Sequence, residues 1–416
     1  MSRQALIAGG GIGGLATALA ASRAGWDVQL FERAPAFSAV GAGIQLGPNV
    51  VKVLQSWGLA DALHAVAAFP EQLQVRSAAS GKMLGVMRLG SAMVQRHGAP
   101  YATVHRADLH GLLLDAVQQH TGAKLHLDRP LQGFSQTQQA VTVQTADGAR
   151  IDGDVLVGAD GLWSTVRQHL LGDGPPRRTG HLAYRALMPQ ATLPERLRCH
   201  HVTVWLGPRM HVVYYPVRGG EWLNVVAIVH GDGNKGFESS SWDHSAHAAE
   251  LASAMGSSHA ALQDLIQSVE NWRLWPVCDR RPMQGAYQHA QGRVGLLGDA
   301  AHPMRPYLAQ GAGMAIEDAA ELGHHLSLAD NAAFAFDVPA LMQQYATRRW
   351  KRNAQVQARA LRNGQIFHAQ GLLRWGRDAA MKVLGEKLLD MPWLYTHSAN
   401  SSIDKNDNRA ACHAPL

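Results

Sequence analysis

An apolar run ending in glycine at residues 4–9 (Q-A-L-I-A-G), followed by G-G-I-G-G-L-A-T-A-L-A-A-S-R-A-G, restricts the fold more than any other stretch of the chain. The run has strand length, and Ile12, Leu15 or Ala16, and Leu19 or Ala20 recur at helical spacing. Strand, glycine turn and helix form the context in which G-x-G-x-x-G carries meaning, here as Gly9, Gly11 and Gly14. The first glycine permits the tight turn, the second lets backbone approach a pyrophosphate, and the third lets the helix pack closely. A second strand, W-D-V-Q-L-F-E-R, ends in Glu32, placed where a carboxylate accepts hydrogen bonds from an adenosine ribose. A dinucleotide-binding unit is expected, and a carboxylate at that position favours FAD or NAD over NADP. Arg33 follows directly and is either a ligand contact or a solvated charge.

Further blocks have the same character. A loop with Gly41, Gly43 and Gly47 leads through Pro48 and Asn49 into an amphipathic helix, and glycines this dense let backbone approach a ligand or another strand. Gln45, between Ile44 and Leu46, points opposite to both if the segment is extended, and faces either a pocket or water. The segment Y-A-T-V-H-R-A-D-L-H runs a strand into a helix, with Arg106 at the junction and Asp108 near the helix start, where the dipole favours an acid. Arg106 either clamps a cofactor phosphate or pairs with Asp108. After an alternating hairpin turning at Asp147 and Gly148, a buried strand at residues 155–157 ends in G-A-D-G, and residues 164–167 open a helix. Asp160 and Gly161 therefore sit beyond the carboxyl end of a strand, where open α/β sheets bind ligands.

Residues 294–319 read as a buried strand (294–297), a turn at Gly298 and Asp299, a proline-punctuated loop, and a helix beginning near Gly313. A helix start preceded by glycines offers unpaired N–H groups and a positive dipole end to an anionic or electron-rich ligand. Between the blocks, residues 180–230 read as consecutive antiparallel strands that make a separate substrate-binding sheet. Within residues 210–215, alternation puts His211, Val213 and Tyr215 on one face and Val212 and Tyr214 on the other. An imidazole and a phenol on one face suit a polar pocket that positions or deprotonates a hydroxyl; a satisfied core pair is the other reading. Residues 246–268 and 338–370 read as helices without a site signal.

Composition excludes several classes. No apolar run of about 18 residues occurs, so no membrane span is expected, and the first ten residues lack the pattern of a secretory signal. Cys199, Cys278 and Cys412 have no close pairing, which fits a reducing, cytoplasmic setting and no metal site. The net charge is +6, but the basic residues are dispersed without an aromatic-interleaved patch, so nucleic acid is not an expected partner.

Taken together, G-G-G-I-G-G with Glu32 and Arg33, H-R-A-D-L-H, G-A-D-G-L-W-S-T-V-R and G-D-A-A-H-P-M-R-P-Y-L-A-Q-G-A-G-M-A-I-E-D-A resemble the single-component FAD-dependent aromatic hydroxylases, the para-hydroxybenzoate hydroxylase group. Within it the likeness is to the branch of salicylate hydroxylase, 3-hydroxybenzoate 6-hydroxylase and 6-hydroxynicotinate 3-monooxygenase. The resemblance implies an α/β fold: a Rossmann-like FAD-binding domain of glutathione-reductase type, an inserted, mostly antiparallel β-sheet substrate domain, and C-terminal helices. The expected division is residues 1–175 and 276–340 for FAD, including a small insertion near 70–105. Residues 176–275 form the substrate sheet, 341–397 the helical segment, and 398–416 a flexible tail.

The resemblance further implies NADH or NADPH as co-substrate and hydroxyl transfer from O2 to a small anionic phenolic acid through a flavin C4a-hydroperoxide. Salicylate to catechol is the leading expectation, with the 3-hydroxybenzoate and 6-hydroxynicotinate reactions as alternatives. A non-catalytic flavin-binding regulator is the alternative of another class. No W-x-W-x-I-P run, which flavin halogenases typically carry, is present. Asp299 resembles the residue that holds the ribityl chain, and the backbone at Gly311, Ala312 and Gly313 the part that meets the flavin ring. Asp160 matches the Asp-Gly turn linked to FAD and NAD(P)H handling, Arg106 the phosphate-contacting arginine, and Arg33 follows the ribose-binding glutamate. His211 and Tyr215 match a substrate-facing pair. Pro306 stands where the 3-hydroxybenzoate enzymes carry glutamine, and Gln45 where the hydroxynicotinate enzymes carry histidine. A monomer or homodimer is expected.

Overall fold

The computed structural model describes residues 3–37, 41–231, 244–330 and 337–397; the tail at 398–416 and Cys412 lie outside the described residues. A six-stranded sheet runs in the order Ala290–Gln291, Val294–Leu296, Val155–Gly158, Gln4–Ala8, Asp27–Phe31 and Lys124–His126. Every pairing is parallel except the outermost, Ala290–Gln291 with Val294–Leu296. Its two central strands are apolar and buried at residues 5–8 and 155–157 because both faces are covered, the usual requirement of a parallel sheet. Register places Ala8 beside Gly158 and Gly158 beside Leu296. Three carboxyl ends therefore converge, and the chain leaves them at Gly9, Ala159 and Leu297. The three fingerprints, dispersed over nearly three hundred residues of sequence, meet along one edge.

Two helices line that edge. Ile12–Arg23 begins at N-cap Gly11, and a Cβ on Gly14 would lie 1.8 Å from the Gly9 carbonyl oxygen, so only glycine allows this helix to sit on its strand. The second helix, Gly311–Ser327, packs along the first, and Gly323 lets it approach to where a Cβ would be 2.8 Å from that of Ala20. This helix starts at Gly311, earlier than the expected position near Gly313. Gly298 and Asp299, read as a turn, form a short helical turn, Gly298–Ala301.

The second sheet has eight strands: His244–Ala246, Trp272–Asp279, Arg177–Pro189, Trp222–His230, Met210–Val217, Val202–Gly207, Gln72–Ser77 and Met83–Arg88. The strands expected in residues 180–230 form its middle. The insertion near 70–105 adds its last two strands, joined by a parallel pairing of Gln72–Ser77 with Val202–Gly207. Residues 246–268 form two helices, Ala248–Met255 and Ala260–Gln267. The C-terminal region holds one 30-residue helix, Val338–Phe367, capped by Asp337 through the N–H of Ala340, and then Gly371–Leu384.

Candidate active site

Glu32, just past the end of Asp27–Phe31, is held by two backbone donors. One carboxylate oxygen accepts from Gly10 N–H at 2.6 Å and the other from Ala34 N–H at 2.8 Å. Glu32, Arg33, Gly9, Asp160 and Trp163 line one small cavity, Arg33 from an exposed position. Asp160 accepts from the Ser164 hydroxyl and from Val166 N–H at 3.1 Å. Its carboxylate is thus occupied in fixing the start of the helix Thr165–Leu171, and it borders this small cavity, not the one beside Asp299.

That main cleft is lined by Gly11, Gly43, Gln45, Arg106, Gly161, Arg185, Tyr215, Asp299, Pro306, Gly311 and Ala312, among others. A Cβ on Gly11 would meet nothing within 4 Å, so the glycine turn borders open space in this cleft. Arg106 lines this cleft, and Asp108 accepts from Arg218 at 2.8 and 2.9 Å. The first intrahelical bond of Gly311–Ser327 runs from Met314 N–H to Gln310 C=O at 2.8 Å. The N–H groups of Gly311, Ala312 and Gly313 therefore have no acceptor within the helix and form a positive end. Gly313 itself packs against Val50 and Gln310 and does not line the cleft. Asp299 opens onto the cleft, and its desolvated setting raises its pKa against the pull of His302 and Arg106. Acidic, basic and unpaired N–H groups thus line the two cavities from Glu32 to Gly311.

Beyond the ring position lies the large sheet. His211, Val213 and Tyr215 share one face, as alternation predicted, while Met210, Val212 and Tyr214 belong to the core on the other. Gln45 is buried, not facing water, and its Oε1 accepts from the Tyr101 hydroxyl at 2.7 Å. Gly43 approaches the same face so closely that a Cβ would overlap Tyr215 and Asn224, and its N–H donates to Asn224 Oδ1 at 2.6 Å. Burial pushes the Tyr215 pKa well up, so it stays a protonated donor. Tyr215 lines the main cleft. His211 lines an adjoining apolar lobe with Leu73, Met87, Val204 and Phe367, and Gln45, Val213, Pro306 and Ala309 border both. The lobe measures about 160 Å³, the size of cavity that takes one benzene ring. His211 Nδ1 and His368 Nε2 are hydrogen-bonded at 2.8 Å, and burial, then His181, push the His211 pKa down to about 3, leaving a neutral imidazole.

Sequence reasoning missed Arg185. It lies in the cross-strand row Arg185, Val226, Val213, its guanidinium carbon 4.1 Å from the Trp275 ring centroid. Its Nε lacks a hydrogen-bond partner, and burial lowers its pKa to about 10 with no carboxylate among its electrostatic partners. The only available hint was a cation inside an otherwise apolar strand, A-Y-R-A-L-M.

Also missed was the support beneath the cleft. Asp318 accepts from Gly298 N–H at 3.0 Å, from His302, from Arg349 Nε at 2.7 Å and from Asn353 at 2.9 Å. Glu317 accepts from Arg349 at 3.0 Å, Arg352 at 2.7 Å and Asn49 at 2.7 Å, and Asn49 also donates to Gln310 at 3.1 Å. Burial alone would raise both carboxyl pKa values; the arginines, and His302 at Asp318, more than offset it and hold Glu317 near 2 and Asp318 lower still. The network ties the Gly298–Ala301 turn to the start of Gly311–Ser327, the two backbone pieces that would hold the flavin.

Comparison with known proteins agrees with this arrangement. The FAD binding domain family matches residues 2–360. The chain is 36% identical over 404 residues to 3-hydroxybenzoate 6-hydroxylase of Polaromonas naphthalenivorans (strain CJ2), covering 96% of this chain and 98% of the relative. It is 37% identical over 318 residues to 6-hydroxynicotinate 3-monooxygenase of Bordetella bronchiseptica, covering 76% and 80%. A salicylate hydroxylase substrate complex superposes with a TM-score of 0.81 at 26% identity, covering 100% of this chain and 99% of that one. The chain belongs to the FAD binding domain family, in its branch of single-component FAD-dependent aromatic-ring monooxygenases.

Proposed function

We propose that this enzyme uses NAD(P)H and O2 to hydroxylate a small monohydroxybenzoate, with 3-hydroxybenzoate ahead of salicylate. The observation that carries the reading is Arg185, a partly buried cation at the cleft with no carboxylate partner among the described residues. Such a group is stabilised when a ligand brings the missing anion. Bound FAD supplies the electron transfer from NAD(P)H and the activation of O2. The chain's own tasks follow from its geometry. Arg185 binds the carboxylate, the apolar lobe takes the ring and excludes water, and protonated Tyr215 donates a hydrogen bond. Neutral His211, steadied by His368, accepts a hydrogen bond from the phenol hydroxyl and orients it as the ring becomes electron-rich.

Arg185 and His211 sit two strands apart and in different cross-strand rows, roughly 10 Å or more between Cα atoms. That separation supports a substrate whose carboxylate and hydroxyl are not adjacent, and the name of the Polaromonas relative points the same way. Salicylate is the second reading, favoured by Pro306 at the border of both lobes. The test compares NADH consumption and products for 3-hydroxybenzoate, salicylate, 6-hydroxynicotinate and phenol. 2,5-Dihydroxybenzoate from 3-hydroxybenzoate is expected; catechol from salicylate as the fastest product would select the second reading. Phenol turning over as well as the acids would remove Arg185 from recognition.

A further inference from the structure

His181 and His230 face each other directly across the pairing of Arg177–Pro189 with Trp222–His230, ring centroids 4.2 Å apart. His368, at the C-terminal end of the long helix, lies 5.3 Å from the first ring and 5.0 Å from the second. One ring nitrogen from each residue lies within 4.8 Å of the others. We propose that these three imidazoles form a binding site for one transition-metal cation of the Zn2+ class, with water completing the coordination.

Imidazoles sharing a tetrahedral ion at bonds of about 2.0–2.1 Å hold their nitrogens roughly 3.3 Å apart and their centroids about 5 Å apart. Two of the three centroid distances already have that value, and His230 Nε2 and His368 Nδ1 are 3.0 Å apart. The second nitrogens are also engaged as metal-bound histidines require: His181 Nδ1 with the Tyr307 hydroxyl, and His368 Nε2 with His211. All three rings are kept neutral, chiefly by desolvation, His181 being pushed down to about 4. Of the nearby cations, Arg305 is held by Asp279 at 2.7 Å, Arg377 pairs with Asp378 at 2.8 Å and Arg209 is exposed. A neutral set of three nitrogens without a carboxylate selects Zn2+, Cu2+ or Ni2+ over Mg2+. The sequence offered no spacing signal, since the three residues come from two strands and a helix end far apart in the chain.

Occupancy has a consequence that rests on the proposed role of His211. A cation on Nδ1 of His368 leaves that ring's proton on Nε2, donated to His211 Nδ1. His211 then keeps its own proton on Nε2 and cannot accept the hydrogen bond of the phenol.

The experiment is equilibrium dialysis of chelator-treated, FAD-loaded enzyme against Zn2+, with Mg2+ in excess, comparing wild type with His181→Gln and His230→Gln. One Zn2+ per chain is expected, with affinity about tenfold or more weaker in each variant. Flavin content and melting temperature measured without metal show that each variant is folded. No retained Zn2+, or equal retention in folded variants, overturns the site. Hydroxylation is then assayed with Zn2+ present: inhibition of wild type and not of His230→Gln supports the coupling. Zn2+ bound at the site without inhibition keeps the site and refutes the role given to His211.

Discussion

Replacing Arg185 with methionine separates a recognition role from a structural one. The guanidinium is partly buried, stacks on Trp275 at 4.1 Å and has no carboxylate partner among the described residues. A substrate carboxylate about 4 Å away would gain about 4 kcal/mol at an effective dielectric near 20. Truncating one partner of a buried, hydrogen-bonded charge pair costs about 2–5 kcal/mol. Taking 2–4 kcal/mol, Arg185→Met should weaken binding of 3-hydroxybenzoate about 30- to 1,000-fold. Because the cation is unpaired in the ligand-free protein, its removal should leave the melting temperature unchanged or raise it. Substrate binding is read from perturbation of the flavin spectrum, and stability from thermal melting of the same samples. Unchanged affinity, or a variant that loses several degrees while binding normally, would show that Arg185 serves the fold and not the ligand.

Asp318→Asn should cost about 3–5 kcal/mol by breaking a buried ion network and should speed FAD release, seen as flavin fluorescence recovered after dilution; normal retention would detach the network from the flavin-binding backbone. His211→Ala should lower product formation far more than FAD affinity and divert NADH oxidation to peroxide, so unchanged turnover removes His211 from catalysis. Acid should destabilise in two stages. His211 and His289 have folded pKa values lowered to about 3, so stability is lost as pH falls below the unfolded value near 6.5, about 2 kcal/mol for each by pH 5. Glu317 and Asp318 have depressed pKa values, so their contribution is full above about pH 4.5 and lost as pH falls toward 2. Melting temperatures flat from pH 7 to pH 4 would contradict the first stage.

What sequence revealed and what it concealed divide along physical lines. The glycine turn, Glu32, the Gly311 helix start and the His211–Tyr215 face are local patterns, set by backbone sterics, dipoles and strand alternation. They are legible because each rule acts within a few residues. The parallel pairing of Gln72–Ser77 with Val202–Gly207 leaves no local trace, so the insertion could not be seen to extend the substrate sheet. Arg349, Asn353 and Gln357 form a buried polar stripe at four-residue spacing, which on sequence alone reads as a solvated face. Its acids, Glu317 and Asp318, lie on another helix. The role proposed for Arg185 rests on the lack of a carboxylate partner among the described residues, which is visible only once the fold surrounds it.

The central claim, that Arg185, Tyr215 and His211 present a monohydroxybenzoate to an FAD held between Glu32 and Gly311, is tested most directly by turnover of 3-hydroxybenzoate under 18O2. One labelled oxygen in a dihydroxybenzoate, formed in step with NADH oxidation, is the predicted result. NADH oxidation that yields only peroxide with every monohydroxybenzoate supplied, and no labelled product, would contradict it.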